Sequence, residues 1–318
     1  MYPAAFQIQR NGRWRHGVTE SIGILSGFAA AIVQSTSYLF SRDFTRKGRG
    51  TIPALFVMSH ILMGVVCLAL TPLCMLQTQT PFAEFVRPLF GVMVPFMIAQ
   101  GVLFITLHNT EPSRVVPLLG LKIVALAVLV SLVGHERLGL LSWLAVLLCA
   151  CAALLLNETG GRLPARAIFG ICVVVIGYAL SDFQIVILIK KLSASGTLAP
   201  FIAVCYAYLV SGMISLPFLF TIGPVRREAW RAAVPFAASW LISMFLLFVS
   251  FAIIGVVFGS IMQSTRGLLS ILLGVLVAKI GMTHLETHVS RGTLVKRIAC
   301  ALLMASAIVM YVVARQRT

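Results

Sequence analysis

The chain has 318 residues, of which 59% are hydrophobic and 11% are charged, and its mean hydropathy is +1.00. Soluble domains carry about 25% charged residues, so this chain has too little polar surface to cover a soluble fold of its length. The composition therefore predicts an integral membrane protein and excludes most classes of cytosolic enzyme. Its continuous apolar runs also exclude a porin-type barrel, in which apolar and polar residues would alternate.

The charge balance is strongly basic, with 25 Lys and Arg residues against nine Asp and Glu residues. In a soluble domain this excess would suggest nucleic acid as a partner. Here nearly all the cations lie in predicted loops or at helix ends, where they contact lipid headgroups. We therefore expect membrane lipid as a partner and no nucleic acid. The seven cysteines show no metal-ligand spacing, and no motif indicates a cofactor or a metal.

Ten apolar runs follow one another along the chain, each about 20 residues long, which is the length of a helix that crosses a bilayer. They are predicted at 20–41, 51–72, 86–107, 113–133, 139–156, 167–190, 200–222, 232–253, 256–278 and 293–314. The connections between them are short, so consecutive helices are predicted to be antiparallel neighbours. No loop is long enough to form a soluble domain.

The second half of the chain resembles the first at a nearly constant offset. Spans 3 and 4 match spans 8 and 9 without a gap at an offset of 144 residues. Pro53 matches Pro200 at an offset of 147, and the polar patch that begins at Ser35 matches Ser181 at 146. The sequence therefore contains an internal repeat of five spans.

Five is an odd number, so the second repeat enters the membrane from the side opposite to the first. We therefore predict an all-α polytopic membrane protein with ten transmembrane helices in two inverted five-helix repeats, residues 1–157 and 158–318. Many secondary transporters have this architecture, and their substrate sites lie near the bilayer midplane between the repeats.

Away from the span ends, three ionised side chains lie within the predicted spans, namely Lys122 in span 4, Asp182 in span 6 and Arg266 in span 9. Each costs about 2.5–3.5 kcal/mol at the centre of a transmembrane helix and is therefore a candidate site residue. Lys122 and Arg266 are 144 positions apart, so the repeat places them at the same depth. Two interpretations stay open: a structural ion pair of Asp182 with one cation, or a site whose excess positive charge binds an anion.

Other polar residues extend this candidate site. Gln263 and Ser270 share a helical face with Arg266 and supply the polar groups that a bound carboxylate or phosphate needs beside a guanidinium. Tyr178 lies one turn before Asp182. These residues are therefore predicted to contact the substrate.

Two further polar side chains, His60 in span 2 and Gln100 in span 3, lie deep in apolar runs. A single histidine in a span is more often a hydrogen-bond partner between helices than a proton relay. The predicted substrate-binding residues are Lys122, Arg266, Gln263, Ser270, Asp182, Tyr178, His60 and Gln100.

Three stretches resemble a known family: 117–122 (PLLGLK), 134–139 (GHERLG) and 141–144 (LSWL). They are similar to the fourth span, the Gly-Glu-Arg-Leu connection and the fifth span of the drug/metabolite transporter superfamily, of the ten-span EamA type. The second copy, 278–283, lacks the acidic residue expected at that connection. The resemblance implies cytoplasmic termini, whereas the loop charges weakly favour external termini under the positive-inside rule.

The sequence therefore predicts a secondary transporter rather than an enzyme. It would move a small organic metabolite, anionic by the charge excess, across the bacterial cytoplasmic (inner) membrane by alternating access, with export as one of the two directions. Two alternatives remain open: an exporter of cationic compounds centred on Asp182, and a membrane sensor or assembly protein that does not transport. The sequence is also compatible with a homodimer.

Overall fold

The computed structural model describes residues 13–109, 115, 117–134, 138–155, 164–223 and 225–266, together with residues 269, 292, 299, 302, 303, 306–310 and 313. All the regular secondary structure in these residues is helical, which confirms the predicted all-α class.

Nine α-helices follow one another in the described part of the chain. They are α1 (Arg13–Arg46), α2 (Ile52–Gln77), α3 (Phe82–Asn109), α4 (Lys122–Leu132), α5 (Leu140–Leu155), α6 (Ala165–Lys191), α7 (Ala199–Ser215), α8 (Arg227–Ile254) and α9 (Val256–Ser264). Short 3-10 segments precede α4 and α7 and extend α7, at Pro117–Leu121, Ser193–Leu198 and Leu216–Phe220. Each helix overlaps the predicted span of the same number.

Six of the described helices are long and apolar enough to cross a membrane. They are α1, α2, α3, α6, α7 with its flanking 3-10 segments, and α8. Two shorter apolar helices cover 118–132 and 140–152. Most of the tenth predicted span lies outside the described residues, so the count of ten spans remains a prediction.

Local sequence explains several helix ends. Pro53 and Pro200 lie in the first turn of α2 and α7, where the missing N–H removes no helical hydrogen bond. The Thr51 side chain caps α2 by accepting a hydrogen bond from the Ala54 N–H at 3.3 Å. Gly255 has a φ of 81°, a conformation that favours glycine, so it ends α8 and starts α9 without a longer loop.

The principal helix contacts join the two halves of the chain. α1 packs on α8, α2 on α7 and α3 on α6, while α6 also contacts α4 and α1 also contacts α9. A further contact joins α4 to α9. This packing brings the helices that carry the candidate site residues together from both halves.

The closest approach in this packing is the crossing of α2 and α7. A Cβ atom on Gly64 would lie 2.8 Å from the Gly212 Cα, and a Cβ on Gly212 would lie 2.8 Å from the Gly64 Cα. The His60 and Tyr208 rings stack beside this crossing, with centroids 6.2 Å apart. Small residues let membrane helices approach closely, so the two glycines set the distance between α2 and α7.

Candidate functional site

A buried ion pair lies where α4, α6 and α9 meet. The Lys122 ammonium donates to Asp182 Oδ2 at 2.7 Å and to Gln263 Oε1 at 2.6 Å. The Ser260 hydroxyl lies 3.4 Å from the same Asp182 oxygen. Lys122 and Asp182 are only 5% and 8% exposed. Asp182 therefore forms an ion pair with Lys122, which is one of the two interpretations that the sequence left open.

Arg266 follows the end of α9 by two residues and faces α1. Its Nη1 donates to Gln34 Oε1 at 3.2 Å, and the Gln263 Nε2 donates to the same oxygen, also at 3.2 Å. The Ser35 hydroxyl donates to the Arg266 carbonyl at 2.9 Å, which ties α1 to this segment. Gln263 therefore links Lys122 to Gln34, and one hydrogen-bonded network runs from Asp182 to Arg266.

The two cations of this network have different partners. Lys122 meets the carboxylate of Asp182, whereas Arg266 meets the neutral amide oxygen of Gln34. Within the described residues, no carboxylate forms an ion pair with Arg266. Arg266 is partly exposed, while Gln34 is 1% exposed. The network therefore carries one positive charge that no described acid neutralises.

His60 lies in an aromatic group on one side of the network. Its ring is 3.9 Å from the Phe56 ring, 5.9 Å from Phe96 and 6.2 Å from Tyr208, measured between centroids. Its Nδ1 is 2.9 Å from the Phe56 carbonyl oxygen, so Nδ1 carries the proton. The buried Nε2 has no hydrogen-bond partner in the described part of the chain. The hydrogen bond of His60 is therefore within α2 and not between helices.

More aromatic side chains continue this group around the network. The Trp240 indole N–H donates to the Tyr208 hydroxyl at 2.9 Å, and the Tyr38 ring meets Trp240 edge-on at 6.3 Å. The Tyr178 hydroxyl donates a hydrogen bond to Gln100 Oε1, and the Tyr178 ring lies 5.9 Å from the Phe96 ring, measured between centroids. Aromatic side chains from α1, α8, α7, α2, α3 and α6 are thus linked in one continuous chain of contacts.

The structure brings together four of the predicted site residues in the buried network: Lys122, Asp182, Gln263 and Arg266. Tyr178, Gln100 and His60 lie in the neighbouring aromatic group, and Ser270 lies outside the described residues. The positions of these residues do not show whether the residues bind a substrate, so their role in substrate binding stays a prediction.

Sequence reasoning missed two members of the network, Gln34 and Ser260. Gln34 is an amide deep in an apolar run, which is the same signal that identified Gln100. Ser260 gives no comparable signal, because serines are common in membrane helices as small packing residues.

Comparison with known proteins supports the family resemblance. Residues 21–158 match the model of the EamA-like transporter family. A solved structure described only as "Crystal structure of protein" superposes with a TM-score of 0.68 at 16% identity, over 93% of this chain and 98% of the other. At that identity the likeness establishes the fold alone. No curated protein matches the chain.

The family match and the apolar helices agree with each other. Residues 21–158 contain α2 to α5 and most of α1, and α1, α2 and α3 are long enough to cross a membrane. The family is one of membrane transporters and not of enzymes. The chain is therefore an integral membrane protein whose residues 21–158 are similar to the EamA-like transporter family.

Proposed function

We propose that this protein is a secondary transporter that carries a small organic anion by alternating access, with Arg266 holding the negative group of the substrate. The observation that carries the proposal is the partner of Arg266, a neutral amide, in a network whose only other cation already has a carboxylate. A buried or half-buried cation without a counter-charge is costly in a membrane. A bound anion removes that cost.

The helix contacts support two inverted repeats, residues 1–157 and 158–318. If the repeats are equivalent, each helix of one repeat corresponds to the helix five positions away in the other. Under this exchange the α1–α8 contact corresponds to the α6–α3 contact, and the α4–α6 contact corresponds to the α9–α1 contact. The α2–α7 and α4–α9 contacts convert into themselves. All of these pairs are in contact, as expected for a pseudo-two-fold axis near the crossing of α2 with α7 and of α4 with α9.

The position of the network suits alternating access. Its side chains come from α1 and α4 in the first half and from α6 and α9 in the second. When one half rocks against the other, both sides of such a site move relative to each other, so the site can open to either face of the membrane in turn. Lys122 and Asp182 bridge the halves, and Arg266 binds the substrate.

The test is flux of organic anions into proteoliposomes that contain the purified protein. We expect Arg266→Gln to abolish the flux of radiolabelled benzoate, succinate or glycerol phosphate, whichever the wild type carries. Arg266→Lys should retain part of the flux, because an ammonium cannot replace the bidentate guanidinium fork. Arg166→Gln is the matched control, since Arg166 is exposed at the start of α6.

Three results would contradict the proposal. Normal anion flux in Arg266→Gln would exclude Arg266 from the site. Flux of cationic compounds only would move the site to Asp182. Binding without any flux in the wild type would favour a sensor or an assembly protein on a transporter-like scaffold.

A further inference from the structure

Each cation of the buried network is paired with a side chain from the first helix of the opposite repeat. Lys122 belongs to the first repeat and bonds to Asp182 on α6, the first helix of the second repeat. Arg266 belongs to the second repeat and bonds to Gln34 on α1, the first helix of the first repeat. The two contacts are therefore equivalent under exchange of the repeats.

The residue spacing supports this equivalence. Gln34 and Asp182 are 148 positions apart, and so are Gly64 and Gly212, which touch each other at the α2–α7 crossing. Sequence alignment alone gave an offset of 146 for the first helices, which pairs Asp182 with Thr36 instead. The contacts with the two cations place Gln34, two residues earlier, at the position equivalent to Asp182.

We infer that Gln34 determines the substrate specificity of the site, because it occupies the position equivalent to that of Asp182 but carries no charge. This inference rests on the proposed function. An acid at position 34 would neutralise Arg266 as Asp182 neutralises Lys122. With an amide there, the carboxylate of the substrate supplies the missing negative charge. Since the network lacks one charge, the expected substrate class is an organic monocarboxylate.

The hydrogen-bonding capacity of Arg266 is compatible with this role. A guanidinium has five N–H donors, and Gln34 accepts from one of its nitrogens at 3.2 Å. The partly exposed guanidinium can therefore donate two parallel hydrogen bonds to a carboxylate while it keeps the Gln34 contact. The partly exposed residues Tyr38 and Tyr178 lie one helical turn from Gln34 and from Asp182 along α1 and α6, which makes benzoate a suitable probe.

The test compares two substitutions of Gln34 by the affinity of the purified protein for benzoate, measured by calorimetry. Gln34→Glu has nearly the same shape and can accept from Arg266 and Gln263 as Gln34 does, but it adds the missing charge. We expect it to weaken benzoate binding by about 10- to 100-fold, the range for a hydrogen bond to a charged group. Gln34→Leu removes the acceptor of Arg266 and Gln263 but adds no charge, so binding should fall by less than in Gln34→Glu.

A charge exchange between the repeats provides the second measurement, which decides the matter if Gln34→Glu alone does not fold. The double variant Gln34→Glu/Asp182→Asn keeps one acid and two cations but moves the acid to α1. The network then again lacks one negative charge, so benzoate should bind within a few-fold of the wild-type affinity.

The outcomes separate this inference from the proposed function. If Gln34→Glu binds benzoate as the wild type does, if Gln34→Leu loses as much affinity as Gln34→Glu, or if the double variant does not bind benzoate, the role of Gln34 is wrong. Those results leave the proposed function intact as long as Arg266→Gln abolishes binding in the wild-type background. If the wild type binds neither benzoate nor acetate but carries succinate or glycerol phosphate, the inference is wrong and the proposed function stands. If none of these anions is bound or carried, both are wrong.

Discussion

Removing one partner of the Lys122–Asp182 pair is expected to destabilise the protein strongly. The two charged atoms are 2.7 Å apart, and both residues are buried. Among the described residues, Lys122→Met leaves the Asp182 carboxylate with the Ser260 hydroxyl at 3.4 Å, and Asp182→Asn leaves the ammonium with neutral amide oxygens, such as that of Gln263, and no carboxylate. Breaking a buried pair in this way costs about 3–5 kcal/mol, because the remaining charge is buried without a counter-charge.

Removing both charges together should cost less than removing either one. In Lys122→Met/Asp182→Asn no uncompensated charge stays buried, and replacement of a whole buried ion pair by neutral groups is often close to neutral in free energy. The double-mutant cycle should therefore give a coupling energy on the order of 2–3 kcal/mol between the two side chains. The amide of the double variant can still accept from Ser260.

The assay is thermal unfolding in detergent, followed by intrinsic tryptophan fluorescence. A loss of 3–5 kcal/mol corresponds to a fall in Tm on the order of 10 °C. The exposed Asp43–Lys47 pair is the matched control, since its atoms are at nearly the same distance, 2.8 Å, but such surface pairs contribute only about 0.3–0.5 kcal/mol. The reasoning is refuted if Lys122→Met lowers Tm no more than Lys47→Met, or if the double variant is less stable than both single variants.

Two further predictions concern the packing around the site. Gly64→Ala should lower Tm, because its Cβ would lie 2.8 Å from the Gly212 backbone, whereas Gly101→Ala, with no atom within 4 Å of the new Cβ, should leave Tm unchanged or raise it; equal losses in the two variants would exclude a packing role for the crossing. Tyr208→Phe should destabilise by about 1–3 kcal/mol, because the buried Trp240 N–H loses its acceptor, and adding Trp240→Phe should recover part of the indole N–H penalty in the same unfolding assay; no loss in the single variant would contradict this.

The fold class and the helix positions follow from the sequence alone. An apolar run of about 20 residues has few alternatives to a membrane helix, because the backbone must satisfy its own hydrogen bonds in lipid. For this reason α1 to α9 overlap the first nine predicted spans in order. Lys122, Asp182 and Arg266 were equally visible, because ionised residues are rare in such runs and costly there.

The inferred equivalence of Gln34 and Asp182 gives the first helices of the proposed repeats an offset that differs from the one given by sequence alignment. Spans 3 and 4 align with 8 and 9 at 144 residues, but the first helices have no charged marker on α1 that corresponds to Asp182 on α6. An amide and an acid match poorly by residue type, so the sequence aligned the neighbouring serines instead and missed Gln34. The contacts of Lys122 and Arg266 give the offset of 148.

The partners of the charged residues were decided by tertiary structure. The sequence required the two cations and the acid to be near one another, but it left open which cation Asp182 would meet. That choice depends on how closely the helices approach each other and how they are rotated about their axes. A Cβ on Gly27 would lie 2.7 Å from the Ser250 Oγ of α8 and 3.2 Å from the Met262 Cβ of α9. Because α1 lies this close to α9, the Gln34 side chain, two turns further along α1, reaches Arg266. Such close contacts between helices depend on side-chain shape across distant segments, and hydropathy and residue spacing along one chain do not encode that shape.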